Sequence, residues 1–315
     1  MPPVLVDLPR LDANLHDFHT RAAAAGCRVR AHLKAHRTRE IAVRQVTAGA
    51  VGVAVQTARA AQLLAAAGVD DIVLAWPWPE PWRFPLFAEA ATVVPRFAVH
   101  VDRIASVTGI GAAAAARGVE VGIRIDLRHT PPEQVVPVAE AVASTAGVRL
   151  DGVTIYPSVE TTADLADRYA VGRRAAEQAV RAAKAISAAG IDCPVVCVGG
   201  TPTAAGAWSV AGVTEVCAGA YATWDGGLAR HGVGELAQVA ISVAAEATDL
   251  LAGCGQPWEP EVTSVAAPEP YAGRLLPAHV CPLAVTLVRR QVEITVVDRG
   301  EPVAVWRPFA AGDRP

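Results

Sequence analysis

Along the chain, short apolar runs alternate with longer stretches in which apolar positions recur every three or four residues. The runs at 28–33, 51–55, 71–75, 95–100, 120–126, 149–155, 194–198 and 214–217 predict strands, and most are apolar at nearly every position. That pattern suits strands covered on both faces, as in a parallel sheet. Between them, 37–46, 57–67, 81–91, 102–117, 133–145, 161–189 and 203–210 have helical length and periodicity. A short strand at Val4–Asp7 comes first. It is followed by an amphipathic segment from Asp12 to Ala25, with Leu11, Leu15 and Phe18 on one stripe and Gly26 closing it. Eight strands separated by helices favour a closed (β/α)8 TIM-type barrel over an open doubly wound sheet.

The pattern changes near Asp225-Gly226-Gly227. Gln238–Ala245 and the runs 283–289, 291–298 and 302–306 are valine-rich and read as strands, with Gly/Pro punctuation such as Gly253 to Pro260 between them. The expected plan is an α/β protein: a barrel domain over 8–229, then a smaller C-terminal β domain over 230–315, joined by the N-terminal strand at 3–7.

Composition narrows the class. With 315 residues, 52% hydrophobic and 19% charged, the chain can bury a large core. A net charge of −3 gives no electrostatic case for nucleic acid. No apolar run approaches the roughly 20 residues that cross a bilayer, and Met-Pro-Pro-Val-Leu-Val-Asp lacks the pattern of a signal peptide. Six cysteines without a Cys-x-x-Cys pair read as reduced thiols of a cytoplasmic protein.

Candidate chemistry gathers at the carboxyl ends of the strands, where a β/α barrel places its active site. Lys34 ends the first barrel strand, and Lys34 and Lys184 are the only lysines among 28 basic residues. An amine can lose its proton and act as nucleophile or base where a guanidinium stays charged; a surface lysine that escaped a composition bias fits the same facts. Gly199-Gly200-Thr201 follows the seventh barrel strand and Gly219-Ala220-Tyr221 the last. Such glycines let backbone N–H groups approach a phosphate, although an ordinary turn would look alike. Tyr156 follows the sixth strand as a rim aromatic. His279 and Cys281 would share a face if they lay on a strand, and their donor atoms suit zinc; a buried thiol beside a structural histidine is the other reading.

Arg30-Ala31-His32-Leu33-Lys34-Ala35-His36 resembles the Arg-Pro-His-x-Lys-Thr-His signature of D-threonine aldolases and D-serine dehydratases. These are fold-type III pyridoxal-phosphate (PLP) enzymes related to alanine racemase through its barrel. The likeness continues in order through Ala48–Val53, Ala67–Leu74, Gly199–Thr203, Ala218–Tyr221 and Pro277–Pro282. It implies that Lys34 carries PLP as a Schiff base and abstracts the Cα proton. It further implies that Gly199, Gly200, Thr201, Gly219, Ala220 and Tyr221 cradle the phosphate, and that Tyr156 lies near the ring. His279 and Cys281 would hold a divalent metal, zinc, that engages the substrate's β-hydroxyl, and the protein would be a homodimer with a small amino-acid substrate.

The chain departs from the family at several points. Ala31 and Ala35 replace the signature's proline and threonine, Ala60 and Gln62 stand where acidic residues are usual, and Asp126–Thr130 replaces a Gly- and Arg-containing loop. The C-terminal part is shorter than usual. Cys217 stands where alanine racemases have arginine, which argues against a racemase, as does the lack of a recognisable second base. The expected activity is a PLP-dependent, metal-assisted lyase, dehydratase or aldolase, acting on a D-β-hydroxy amino acid. The alternatives are a PLP-binding protein without turnover and an amino-acid racemase.

Overall fold

In a computed structural model that describes residues 1–310 and residue 312, the chain opens with strand β1 (Val4–Asp7) and helix α1 (Leu8–Ala24). The helix starts four residues before the expected Asp12. Asp7 accepts the Arg10 N–H at 3.0 Å, and Pro9 suits a first helical turn, where no amide hydrogen is needed. Leu11, Leu15, Phe18 and Ala22 form its buried stripe.

The eight strands that follow close into a barrel: β2 (Arg28–His32), β3 (Gly52–Val55), β4 (Asp71–Leu74), β5 (Arg96–Val101), β6 (Val121–Asp126), β7 (Val148–Ile155), β8 (Val195–Gly199) and β9 (Glu215–Ala218). All pair in parallel, and β2 joins β9 with Arg28 opposite Glu215 and Arg30 opposite Cys217. Helices α2 (Arg39–Thr47), α3 (Ala58–Ala65), α4 (Phe84–Ala91), α5 (Ile104–Ala115), α6 (Val135–Ser144), α7 (Thr162–Ala166), α8 (Arg168–Ala188) and α9 (Ala204–Trp208) connect them. The single helix expected over 161–189 is two. Thr161 and Asp164 form a reciprocal capping box on the first, and the chain turns at Asp167 before the second. This is the (β/α)8 TIM-type barrel expected from the periodicity.

The amino-terminal half of the barrel interior is filled by charge. Arg30 holds Glu215 through two nitrogens at 2.7 and 3.1 Å and reaches Asp71 at 2.7 Å. Arg124 meets Glu215 at 2.5 Å and Asp151 at 2.8 Å. Burial would push the Glu215 carboxyl up, but Arg124 and Arg30 overwhelm it and hold the group far below the ordinary carboxylate range. Breaking such a set by removing one member costs about 3–5 kcal/mol, because the remaining charges stay buried without partners.

After the barrel come α10 (Gly226–Arg230), β10 (Ile241–Ala244), β11 (Ser264–Ala266), β12 (Arg274–Pro277), α11 (Val280–Arg290), β13 (Ile294–Asp298) and β14 (Glu301–Trp306). Six strands form a second sheet in the order β11-β12-β10-β1-β13-β14, antiparallel except for β1 against β13. The expectation of a strand at 283–289 is overturned. Val280, Leu283, Ala284 and Leu287 are buried at helical spacing, and Gln291 ends the helix in the left-handed conformation. Valine and leucine content suggested a strand; the spacing of the buried positions prevailed. No helix among the described residues is long and apolar enough to cross a membrane.

Candidate active site

A cavity of about 190 Å³ opens at the carboxyl end of the barrel. Lys34 enters it from a single 3-10 turn, Leu33–Ala35, that immediately follows β2. His32 caps that turn: its Nδ1 accepts the Lys34 N–H at 3.3 Å. Burial, and then Lys34 and neighbouring cations, hold the His32 imidazole well below its ordinary range, so it is neutral. The Lys34 ammonium lies 4.4 Å from the centroid of the Tyr156 ring. Burial works against its charge, yet Tyr156, Cys281 and Cys217 together shift it above its ordinary range. In the free protein Lys34 is therefore a cation, and its nitrogen must shed a proton before it can bond to carbon.

One wall of the cavity is backbone. Gly200, Thr201, Gly219 and Ala220 line it. Among the described residues the N–H groups of Thr201, Gly219 and Ala220 have no protein acceptor. Gly200 has φ +104°, and a Cβ on Gly219 would stand 2.3 Å from the His32 carbonyl oxygen. The Thr201 hydroxyl accepts the Tyr221 N–H at 3.2 Å and so ties the two loops together. Gly199 lies just outside this wall; a Cβ there would strike the Tyr156 ring at 2.5 Å, so its role is to seat that ring. Unpaired amides converging beside a lysine fit the phosphate and aldehyde ends of PLP.

The Tyr221 side chain departs from expectation. It is fully buried between α1 and α2, stacked 4.2 Å from Phe18, away from the cavity. It belongs to a hydrogen-bond relay whose directions are all determined. His36 Nδ1 accepts from Thr38 N, so its Nε2–H donates to Gln45 Oε1; Gln45 Nε2–H donates to the Tyr221 oxygen. The Tyr221 O–H then donates to His19 Nε2, and His19 Nδ1–H donates to the Ala48 carbonyl. The second histidine of the signature is thus a structural member that fixes the turn carrying Lys34.

The same cavity is lined by His279 and Cys281, which are not on a strand. His279 is the cap residue of α11 and Cys281 lies in its first turn. Burial lowers the His279 imidazole to about 4 despite a bond to the Gly255 carbonyl, leaving it neutral. Burial pushes the Cys281 thiol up to about 11, against the pull of Lys34 and Arg37. Neutral imidazole and a thiol are the donor types of a zinc site, and a metal would displace the thiol proton. Among the described residues no group of three or more His, Cys, Asp or Glu side chains is arranged to hold a metal ion. A metal here would take two protein ligands and leave other positions to water or substrate.

Asp225 and Gln256 were not singled out from the sequence. Asp225 accepts Leu228 N at 2.9 Å, Gln256 Nε2 at 3.1 Å and Val280 N at 3.3 Å. It therefore joins the start of α10 to the start of α11 and fixes the turn that presents His279 and Cys281. Burial raises its carboxyl to about 7. The available signal was an acidic residue just before Gly226-Gly227-Leu228, a helix-capping position. The bond to Val280 spans 55 residues and had none.

A lysine at the end of the first barrel strand, facing a wall of free amides, is the arrangement of a PLP-binding β/α barrel. Residues 6–224 match the alanine racemase N-terminal domain, and the chain belongs to that family. It is 34% identical over 253 residues to D-threo-3-hydroxyaspartate dehydratase of Delftia sp. (strain HT23), a match covering 78% of this chain and 66% of that one. It is 28% identical over 325 residues to D-threonine aldolase of Arthrobacter sp, covering 89% and 86%. A histidine-to-alanine variant of D-threo-3-hydroxyaspartate dehydratase superposes with a TM-score of 0.82 at 25% identity, covering 99% of this chain and 95% of that one. A cysteine-to-alanine variant of that dehydratase, solved in a metal-free form, gives 0.81 at 24% identity, covering 99% and 98%.

Proposed function

We propose that the protein is a PLP-dependent, metal-assisted lyase acting on a D-β-hydroxy amino acid. The observation that carries this is that one cavity holds Lys34, the free amides of Thr201, Gly219 and Ala220, and the pair His279 and Cys281. Lys34 would hold the cofactor and move the Cα proton. The amides would hold its phosphate and Tyr156 would flank its ring. His279 and Cys281 would hold zinc, with Asp225 fixing the turn that presents them. When bound, PLP supplies the electron sink at Cα and the metal a Lewis acid at the β-hydroxyl. The relatives named above act on such substrates. The two dehydratase variants replace a histidine and a cysteine two positions apart, the spacing of His279 and Cys281, which supports the metal assignment. Cys217 lines the cavity as a thiol, which cannot supply the guanidinium expected of a racemase. The proposal extends to a cytoplasmic homodimer; six unpaired cysteines support the reducing compartment.

The test is a screen of D- and L-serine, threonine and larger β-hydroxy amino acids with PLP and zinc present, scoring keto acid, aldehyde and racemised product separately. Keto acid or aldehyde from a D-substrate is expected. Cofactor binding without any turnover would replace this reading with a non-catalytic one.

A further inference from the structure

At the amino-terminal end of the barrel strands, away from Lys34, a cavity of about 80 Å³ is lined by five arginines and three carboxylates, Asp71, Asp151 and Glu215. Arg30 and Arg124 are its buried arginines; Arg28, Arg96 and Arg149 are more exposed. Inward-facing glycines make room for them. A Cβ on Gly52 would stand 2.7 Å from Arg30 Nη1, and one on Gly122 would stand 3.2 Å from Arg149 Nη2. The charges do not balance. Arg96 pairs with Asp71 at 3.0 Å, and Arg149 with Glu120, which lies outside the cavity, at 3.1 Å. Even with Glu120 counted, five cations face four anions. Among the described residues the Arg28 guanidinium has no carboxylate and no other hydrogen-bond partner. Arg124 is also incompletely used: its Nε and Nη1 hold Asp151 and Glu215, while its Nη2 meets no acceptor and keeps accessible surface. Buried charges normally find partners, and arginine cannot escape by losing its proton.

We propose that this cavity is a receptor for a small oxyanion of the phosphate type, held by Arg28 and the free Nη2 of Arg124. Guanidinium N–H donors match the oxygens of such an ion, and a hydrogen bond with charge on both sides is about twice as strong as a neutral one. A cavity of this size takes the ion and not a nucleotide. The site is separate from the amides of Thr201, Gly219 and Ala220, which lie at the carboxyl end of the barrel, and it does not depend on the proposed activity. Its effect is on the fold: an ion that binds the folded chain and not the unfolded one stabilises the folded state as its concentration rises.

The test titrates the PLP-loaded protein, whose cofactor amides are occupied, with inorganic phosphate or sulfate and with chloride at equal ionic strength. Calorimetry and melting temperature are the readouts, and neither needs turnover. Phosphate should bind saturably at about one per chain, and phosphate and sulfate should raise the melting temperature beyond any effect of chloride, with the visible absorbance of the cofactor unchanged. Arg28→Gln should weaken phosphate by at least about 10-fold, the size expected when one charge-assisted pair is lost. Arg28→Glu, which places a rival carboxylate in the cavity, should abolish the phosphate response and serves if Arg28→Gln does not fold. Equal effects of phosphate and chloride, or unchanged phosphate affinity in a folded variant, overturn the receptor. Phosphate binding that removes the cofactor absorbance places the ion among the amides and overturns it too.

Discussion

The Lys34 ammonium lies 4.4 Å from the centroid of the Tyr156 ring, inside the range of a cation–π contact. The ring is itself seated because residue 199 has no Cβ. Tyr156 is among the groups that raise Lys34 above its ordinary range. A raised amine reacts with an aldehyde only as pH climbs and its proton leaves. Tyr156→Phe should therefore shift the pH profile of PLP uptake by apoprotein toward lower pH. Uptake rates followed by absorbance check this, and an unmoved profile removes Tyr156 from the control of Lys34.

Tyr221→Phe separates scaffold from site. Losing the hydroxyl leaves Gln45 Nε2 and His19 Nε2 without their partner, at a cost of about 1–3 kcal/mol. Urea unfolding should show that loss, while PLP affinity stays near wild type because the side chain lies outside the cavity. A drop in PLP affinity without a drop in stability would restore Tyr221 to the cofactor site.

How much of this was legible in the sequence depended on range. Eight nearly continuous apolar runs implied a parallel barrel, because only strands covered on both faces read that way. Lys34 and the glycine turns could be placed from their positions at strand ends alone. The tertiary partners were not legible. Arg30, Arg124 and Glu215 stand out as charges inside apolar runs, but nothing local says that they meet inside the barrel. Tyr221 follows a glycine turn, yet its ring faces the helices because Phe18 and His19, some 200 residues earlier, are there to receive it. The segment Val280–Arg290 has the valine content of a strand, but Leu283, Ala284 and Leu287 carry the helical spacing that its burial follows.

Asp225 links stability to pH. Its carboxyl is raised to about 7 by burial, so between its unfolded value of about 4 and about 7 the folded protein holds a proton that the unfolded chain releases. The stability this gives is full below about 4 and is lost as pH rises through about 7. Asp225→Asn cannot titrate, so its melting temperature relative to wild type should climb from pH 4 to 7 and level off above. A difference that is flat with pH would mean that Asp225 is already ionised throughout.

Metal and cofactor should be separable, because His279 and Cys281 lie at the start of α11, on a different segment from the loops that carry the free amides. A strong chelator should abolish lyase activity and leave the visible absorbance of bound PLP, and zinc should restore turnover. Cys281→Ala should mimic chelation without rescue, with a loss of about two to three decades in rate, of the order seen when one electrostatic group is removed. Turnover that survives chelation contradicts the metal role.

The most direct measurement is borohydride trapping of the PLP-loaded protein followed by peptide mass spectrometry. The chain offers only two lysines, so the outcome is unambiguous. The expected result is one phosphopyridoxyl group per chain on the peptide bearing Lys34, none on that bearing Lys184, and no visible absorbance in Lys34→Ala. Label on Lys184, or none after incubation with excess PLP, would contradict the assignment of Lys34 and the function built on it.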